Sequence, residues 1–318
     1  MKRPTLKRLA SCHTKTSQRR SKRLRSLFLE NLENRELLAI DLSGVPTWVE
    51  QGPGTILNGN NVEGIPGRPQ AGAVTAMAPD PTNANRLFVA SANGGVWRTT
   101  NATAANPSWT PLTDQFGTLS TSAIAFSPLD ATRNTLYVGT GTTSSGFGDG
   151  GPQIGVLKTT DGGTSWSVIG QSLAGNQINQ IIPTAIGSPA TQVVLAATNN
   201  GIFRSTDGGL TFSAAPVRAG NVVDMDVDPT NPNRFYASIT GAANGFFIST
   251  DGGLSFNPTN TNIPAGVIGA ADFVEMAVHT SPGNNTVLHF GQIPFYYGQT
   301  IAFGAEINTS LGPSLLKV

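Results

Sequence analysis

The chain of 318 residues holds one cysteine, Cys12, and three histidines, His13, His279 and His289. One thiol gives neither a disulfide framework nor a thiolate metal cluster, and so few imidazoles leave little material for a zinc site or a histidine-based triad. Charged residues make up 12% and aromatics 7%. No run reaches the ~20 apolar residues of a membrane-spanning helix, and a hydrophobic share of 38% excludes a polytopic membrane protein. The same share is too apolar for a disordered chain. Glycine (37) and proline (21) are abundant, the composition of short strands joined by many tight turns.

The net charge of +1 hides an asymmetry. Residues 1–38 carry 11 of the 20 Lys and Arg and three acids, leaving 9 basic against 16 acidic side chains in the other 280 residues. A basic head on an acidic body reads as a targeting segment, residues 1–39, on a separate domain over 45–318. Arg19, Arg20, Lys22, Arg23 and Arg25 would also suit a nucleic-acid arm. That reading is set aside, because no aromatic residue interleaves them and they lie at the extreme terminus. A standard secretory signal needs an unbroken apolar core of roughly 7–15 residues. Here Ser26–Ala39 is broken by Glu30, Glu33, Arg35 and Glu36.

Internal repetition is plain further on. Thr159-Thr160-Asp161-Gly162-Gly163-Thr164-Ser165-Trp166 recurs as Ser205 to Phe212 and as Ser249 to Phe256, the aspartates lying 46 and 44 positions apart. A worn copy comes earlier, as Thr99-Thr100-Asn101, an insertion, and Ser108-Trp109. An apolar strand opened by glycine precedes each box: Gly95-Val96-Trp97-Arg98, Gly155-Val156-Leu157-Lys158, Gly201-Ile202-Phe203-Arg204 and Gly245-Phe246-Phe247-Ile248. Upstream stand a proline turn and another strand, as at Asp80-Pro81 and Asp228-Pro229. Four short antiparallel strands in about 45 residues make a propeller blade. The predicted fold is all-β: a propeller of about five four-stranded blades, complete or truncated, over 72–116, 118–170, 176–216, 219–260 and a degenerate 267–318. Pro46 to Pro53 reads as a lone fourth strand able to complete the last blade.

The residue types of the box follow from turn chemistry. An aspartate at the head of a tight turn accepts backbone amides a few residues on, and a Ser or Thr hydroxyl two residues earlier can do the same. The glycine pair supplies positive φ. The closing Trp or Phe is expected to turn inward and pin the hairpin to its blade. The residues singled out are Thr159, Asp161, Gly163 and Trp166; Ser205, Asp207, Gly209 and Phe212; and Ser249, Asp251, Gly253 and Phe256.

These boxes resemble the Asp-boxes of BNR-repeat propellers, found in sialidases, xyloglucanase-type glycoside hydrolases, sortilin-type receptors and a photosystem assembly factor family. The resemblance covers roughly residues 45–260, with a weaker tail to 318. It implies that each box lies between the third and fourth strands of a blade, away from the ligand face, and that Asp161, Asp207 and Asp251 are structural. The leader has its own resemblance: Leu32-Glu33-Asn34-Arg35-Glu36-Leu37-Leu38-Ala39 is similar to the LEPR-XLL-type motif of large extracellular planctomycete proteins, with Asn34 in place of the usual residue. That implies export, with processing near Ala39, to the cell envelope or beyond.

A sialidase would need an arginine triad, but Arg86 with Arg234, and Arg98 with Arg204 and Lys158, occupy repeat-equivalent positions, as structural residues do. The Phe-Arg-Ile-Pro motif of sialidases is absent. Ala92-Asn93-Gly94-Gly95-Val96-Trp97-Arg98 is similar to the xyloglucanase segment that carries the catalytic base, yet Asn93 stands at its place, and an amide cannot take that proton. Asp224, Asp226 and Asp228 alternate along one strand. A polar face meeting water, with Asp228 making the turn, accounts for them better than a calcium site does. Trp97, Trp109, Trp166 and Trp48 read as core. The unmatched run Phe295-Tyr296-Tyr297 and the insertion Thr142 to Gly151 are candidate contact segments. The expectation is a non-catalytic module that binds or scaffolds polysaccharide or protein, with no cofactor, metal, nucleic acid or transmembrane segment. The alternative is a glycoside hydrolase of xyloglucanase or sialidase type.

Overall fold

The computed structural model describes residues 73–142, 150–241, 245–258, 273–281, 285–293 and 305–308. The leader, the stretch Pro46 to Pro53, the middle of the Thr142–Gly151 insertion and the run Phe295-Tyr296-Tyr297 lie outside them. Contacts divide the chain into Met1–Val49 and Glu50–Val318, and the described residues all belong to the second unit.

Four sheets have four strands each, paired antiparallel in chain order. The first is β1 (Val74–Pro79), β2 (Leu87–Ser91), β3 (Gly95–Thr99) and β4 (Thr110–Pro111). The second is β5 (Thr121–Phe126), β6 (Leu136–Thr140), β7 (Val156–Thr159) and β8 (Ser167–Ile169). The third is β9 (Ile178–Pro183), β10 (Val194–Thr198), β11 (Gly201–Ser205) and β12 (Arg218–Ala219). The fourth is β13 (Asn221–Asp228), β14 (Asn231–Thr240), β15 (Gly245–Ser249) and β16 (Asn257–Pro258). A fifth sheet shows three strands, β17 (Phe273–Ser281), β18 (Asn285–Ile293) and β19 (Ala305–Asn308). No α-helix occurs among the described residues, only a 3-10 turn at Gln171–Leu173. The fold is an all-β propeller, each sheet one blade.

The core lies between blades, because each strand alternates its side chains between two neighbours. One face of each blade, its front, packs on the back of the next. Ala78, Phe88 and Ala90 of blade 1 meet Ile124, Val138 and Leu157 of blade 2. Tyr137 and Ala123 of blade 2 meet Ile181, Ala196 and Phe203 of blade 3. Ile182 and Leu195 of blade 3 meet Met225, Ala237 and Phe247 of blade 4. First strands touch in succession, β1 to β5, β5 to β9, β9 to β13 and β13 to β17. Turns β1–β2 and β3–β4, with their equivalents, share one end of the blades. The β2–β3 turns and the blade-to-blade connections share the other.

The Asp-Pro turns form as residue type dictates. Asp80 Oδ1 accepts from the Thr82 amide and hydroxyl at 2.8 and 2.7 Å, and its other oxygen pairs with Arg86. Asp228 repeats this with Thr230 and Arg234. Blade 2 has Ser127 at that place, and Asp130, three residues on, gathers the Thr132, Asn134 and Thr135 amides instead.

Candidate functional site

At the first end of the blades, the three boxes have one geometry. Thr159 Oγ1 donates to Asp161 Oδ1 at 2.7 Å and accepts from the Gly163 amide at 3.0 Å, while Asp161 accepts from the Ser165 amide and hydroxyl at 2.9 and 2.6 Å. Ser205, Asp207, Gly209 and Thr211 repeat it, as do Ser249, Asp251, Gly253 and Ser255. In the worn copy Asn101 Oδ1 stands in for the carboxylate, taking the Thr99 and Ser108 hydroxyls and the Ser108 amide. The Ser165 hydroxyl and amide hold the Asp161 carboxyl well below its usual range. At Asp251, burial works upward, but the Ser255 and Ser249 bonds outweigh it and bring the pKa to about 2.

The closing aromatics reach further than the sequence predicts. Trp166, Phe212 and Phe256 join the clusters shared with the preceding blade, so they pin each hairpin to its neighbour. The second glycine of the box sits against that same neighbour. Gly253 has φ +80°, and a Cβ there would lie 2.8 Å from Leu195.

Basic residues also sit at blade joints. Arg98 donates to the Gly162 carbonyl of the next box at 2.8 Å, Lys158 to Gly208 at 2.9 Å and Arg204 to Gly252 at 3.0 Å. Arg86 crosses from blade 1 to Asn134 and the Arg133 carbonyl of blade 2, and Arg218 stacks over Phe247 at 4.0 Å.

The other end carries amides and hydroxyls. Asn93 occupies the β2–β3 turn at φ +58° and accepts from the Ser120 hydroxyl, which in turn takes the Gly151 amide. Thr142 donates to Gln177 Oε1, the Gln177 side chain donates to Asn179 Oδ1 at 2.9 Å, and the Gln177 amide donates to Asn199 Oδ1 at 3.0 Å. Asn200 donates to Asn176, and Asn221 to Thr240. Asn93, Asn199, Asn200 and Asn221 are exposed and Gln177 is half-buried. Single-residue patterning gives no warning of this network, because Asn and Gln in turns carry no period. Its one legible trace is the clustering of amide residues at the glycine turns.

Asp224 and Asp226 depart from the expected water-facing strand. Both are half-buried on the front of blade 4, and they meet the backbone of β17. Asp224 Oδ2 accepts the Met276 amide at 2.6 Å, and Asp226 accepts from Val278. Their cross-strand partners are Ser238 and Tyr236, both buried. Burial, then the neighbouring Asp224 carboxylate, pushes the Asp226 pKa up to about 7. Asp228, two residues on, is fully occupied in its turn. Among the described residues no group of three or more His, Cys, Asp or Glu side chains is placed to hold a metal ion. No helix among them is long and apolar enough to cross a membrane.

The strand order and these blade-to-blade contacts define a β-propeller protein. Comparison with protein-family models and with curated proteins gives no match. Among solved structures, the chain is similar to an ancestral GH74 enzyme, with 19% identity and a TM-score of 0.49 over 80% of this chain. It spans only 32% of that enzyme's chain. It is also similar to YCF48 bound to D1 peptide (15% identity, TM-score 0.43, 70% of this chain and 65% of that one). YCF48 from Cyanidioschyzon merolae shows 14% identity and a TM-score of 0.44 over 82% of this chain and 77% of that one. Likeness at this level says nothing of activity or ligand.

Proposed function

We propose that this chain is an exported, non-catalytic propeller of Asp-box blades that binds polysaccharide or protein at the cell surface. The observation that carries the reading is the pair of amide and hydroxyl clusters at the loop end, Asn93 with Ser120 in one and Thr142, Gln177 and Asn199 in the other. Amides fixed by one another present further donors and acceptors at little ordering cost, which suits the hydroxyls of a sugar chain or the backbone of a peptide. The box aspartates lie at the opposite end with their oxygens taken up by turn donors, in keeping with a structural role. Asn93 holds a turn conformation and stands where the xyloglucanase type carries its base. The Leu32-to-Ala39 motif supports export.

The test is binding of the full chain to a panel of cell-surface polysaccharides and peptides, repeated with Gln177→Ala and Asn199→Ala. Each variant is expected to weaken binding about tenfold, the scale of one or two lost hydrogen bonds, while the melting temperature falls by only a few degrees. Binding untouched by both variants would place the ligand elsewhere and overturn the assignment.

A further inference from the structure

The joint between blades 4 and 5 is chemically unlike the three before it. Two kinds of polar tie recur in each of the first three joints. In one, a residue at the bulge near the start of the first strand reaches the next first strand: Thr75 donates to the Thr121 carbonyl at 2.8 Å, Ser122 to Ile178 at 2.5 Å and Asn179 to Val222 at 2.6 Å. These residues fall at the register shifts of β1, β5 and β9. In the other, Arg98, Lys158 or Arg204 clasps the next box. In blade 4 the matching residues are Val223, at the register shift of β13, and Ile248. Neither side chain has a polar group.

The front positions differ as well. Counting back from the turn residue, Asp224 and Asp226 match Ala76 and Ala78, Ala123 and Ala125, and Gln180 and Ile182. Residues two apart on a strand point the same way, so the two carboxylates share a face and meet the amides of Met276 and Val278, themselves two apart. A pair of carboxylates thus stands where the other joints carry alanines or, at the third, Gln180 and Ile182.

We infer that the Asp224–Asp226 pair makes the docking of the fifth sheet onto blade 4 depend on a proton, so that β17 is held in acid and released as the joint becomes doubly charged. Two carboxylates on one face of a half-buried strand repel when both are ionised, and protonating one of them removes the repulsion. Among the described residues, the ionisable groups on the face of Asp226 are Asp224 and Asp228 on its own strand, the latter paired with Arg234, and Tyr236 across on β14. β17 carries Glu275 and His279 alternating with Met276 and Val278. From the other side β9, β10 and β11 bring Ile182, Leu195 and Ile202, which do not titrate. The sign follows from linkage: a carboxyl whose docked pKa is raised takes up a proton on docking. The docking is then strongest at low pH and weakens between the ordinary carboxylate range and about 7.

The experiment is hydrogen exchange on the full chain in EDTA buffer at pH 5 and pH 8, expressed as protection factors. One linked proton permits up to tenfold per pH unit, so protection over residues 273–281 is expected to be at least tenfold lower at pH 8. Protection over β9 is expected to stay constant. Asp226→Asn, which keeps an acceptor oxygen, is expected to abolish the difference, and Asp224→Asn to reduce it should the first variant fail to fold. Equal protection of β17 at both pH values in the wild-type chain overturns the proposal. So does a difference that survives Asp226→Asn and vanishes in His279→Ala.

Discussion

Asp207 gathers two hydroxyls and an amide with one side chain: Ser205 Oγ, Thr211 Oγ1 and the Thr211 backbone N–H. It also sets the position of Gly208, whose carbonyl receives Lys158 and the Tyr137 hydroxyl of the preceding blade. Losing the carboxylate frees turn donors as the loss of a helix cap does. Asp207→Ala is therefore expected to cost about 1–2 kcal/mol, read as a lower melting temperature with ligand binding kept. Asp207→Asn is expected to cost less, because Asn101 already fills this role in blade 1. Equal losses in the two variants would mean that charge, not the acceptor oxygen, holds the turn.

At the scale of strands, burial follows from which neighbour a row meets. Met77 lies in a back row with Val89 and Trp97 and is 63% exposed, whereas its counterparts Ile124, Ile181 and Met225 are at 8%, 2% and 0%. Charge at Met77 is expected to change stability little, so Met77→Lys should melt within a few degrees of wild type. Ile181→Lys buries an unpaired ammonium and should lose more than about 4 kcal/mol or fail to fold. A large loss at Met77 would show that its row is covered in solution. The four-strand unit was legible in the sequence because its turns carry recurring signatures: Asp-Pro in blades 1 and 4, a glycine at the head of the third strand in blades 1 to 4, and the Asp-Gly-Gly box in blades 2, 3 and 4. The short fourth strands have none, and β12 falls at Arg218–Ala219, past residue 216. Alternation at Asp224 and Asp226 showed that both share a face. It could not show that another blade's backbone covers that face, since periodicity gives direction and not neighbour. The repeat-matched Arg98, Lys158 and Arg204 were legible as structural, while their acceptors in the next blade became visible only in three dimensions.

In the molecule as a whole, the two ends of the blades divide their tasks. Box turns, charged clasps and closing aromatics fasten blade to blade at one end, while amides and hydroxyls are presented at the other, on a scaffold rigid enough to hold them. Among the described residues, the carboxylates with raised or lowered pKa lie in turns and in the joint between blades 4 and 5. Inverting hydrolysis would need two carboxyl groups facing each other across about 6.5–9.5 Å with a sugar between them. Asp224 and Asp226 instead stand side by side on one strand. The most direct measurement is to incubate the full chain with the polysaccharides it retains and to follow bound sugar and newly formed reducing ends together. A saturable bound fraction with no reducing ends above the protein-free control is the result this account predicts. Reducing ends that accumulate with time and with protein concentration would contradict it and make the chain a glycoside hydrolase.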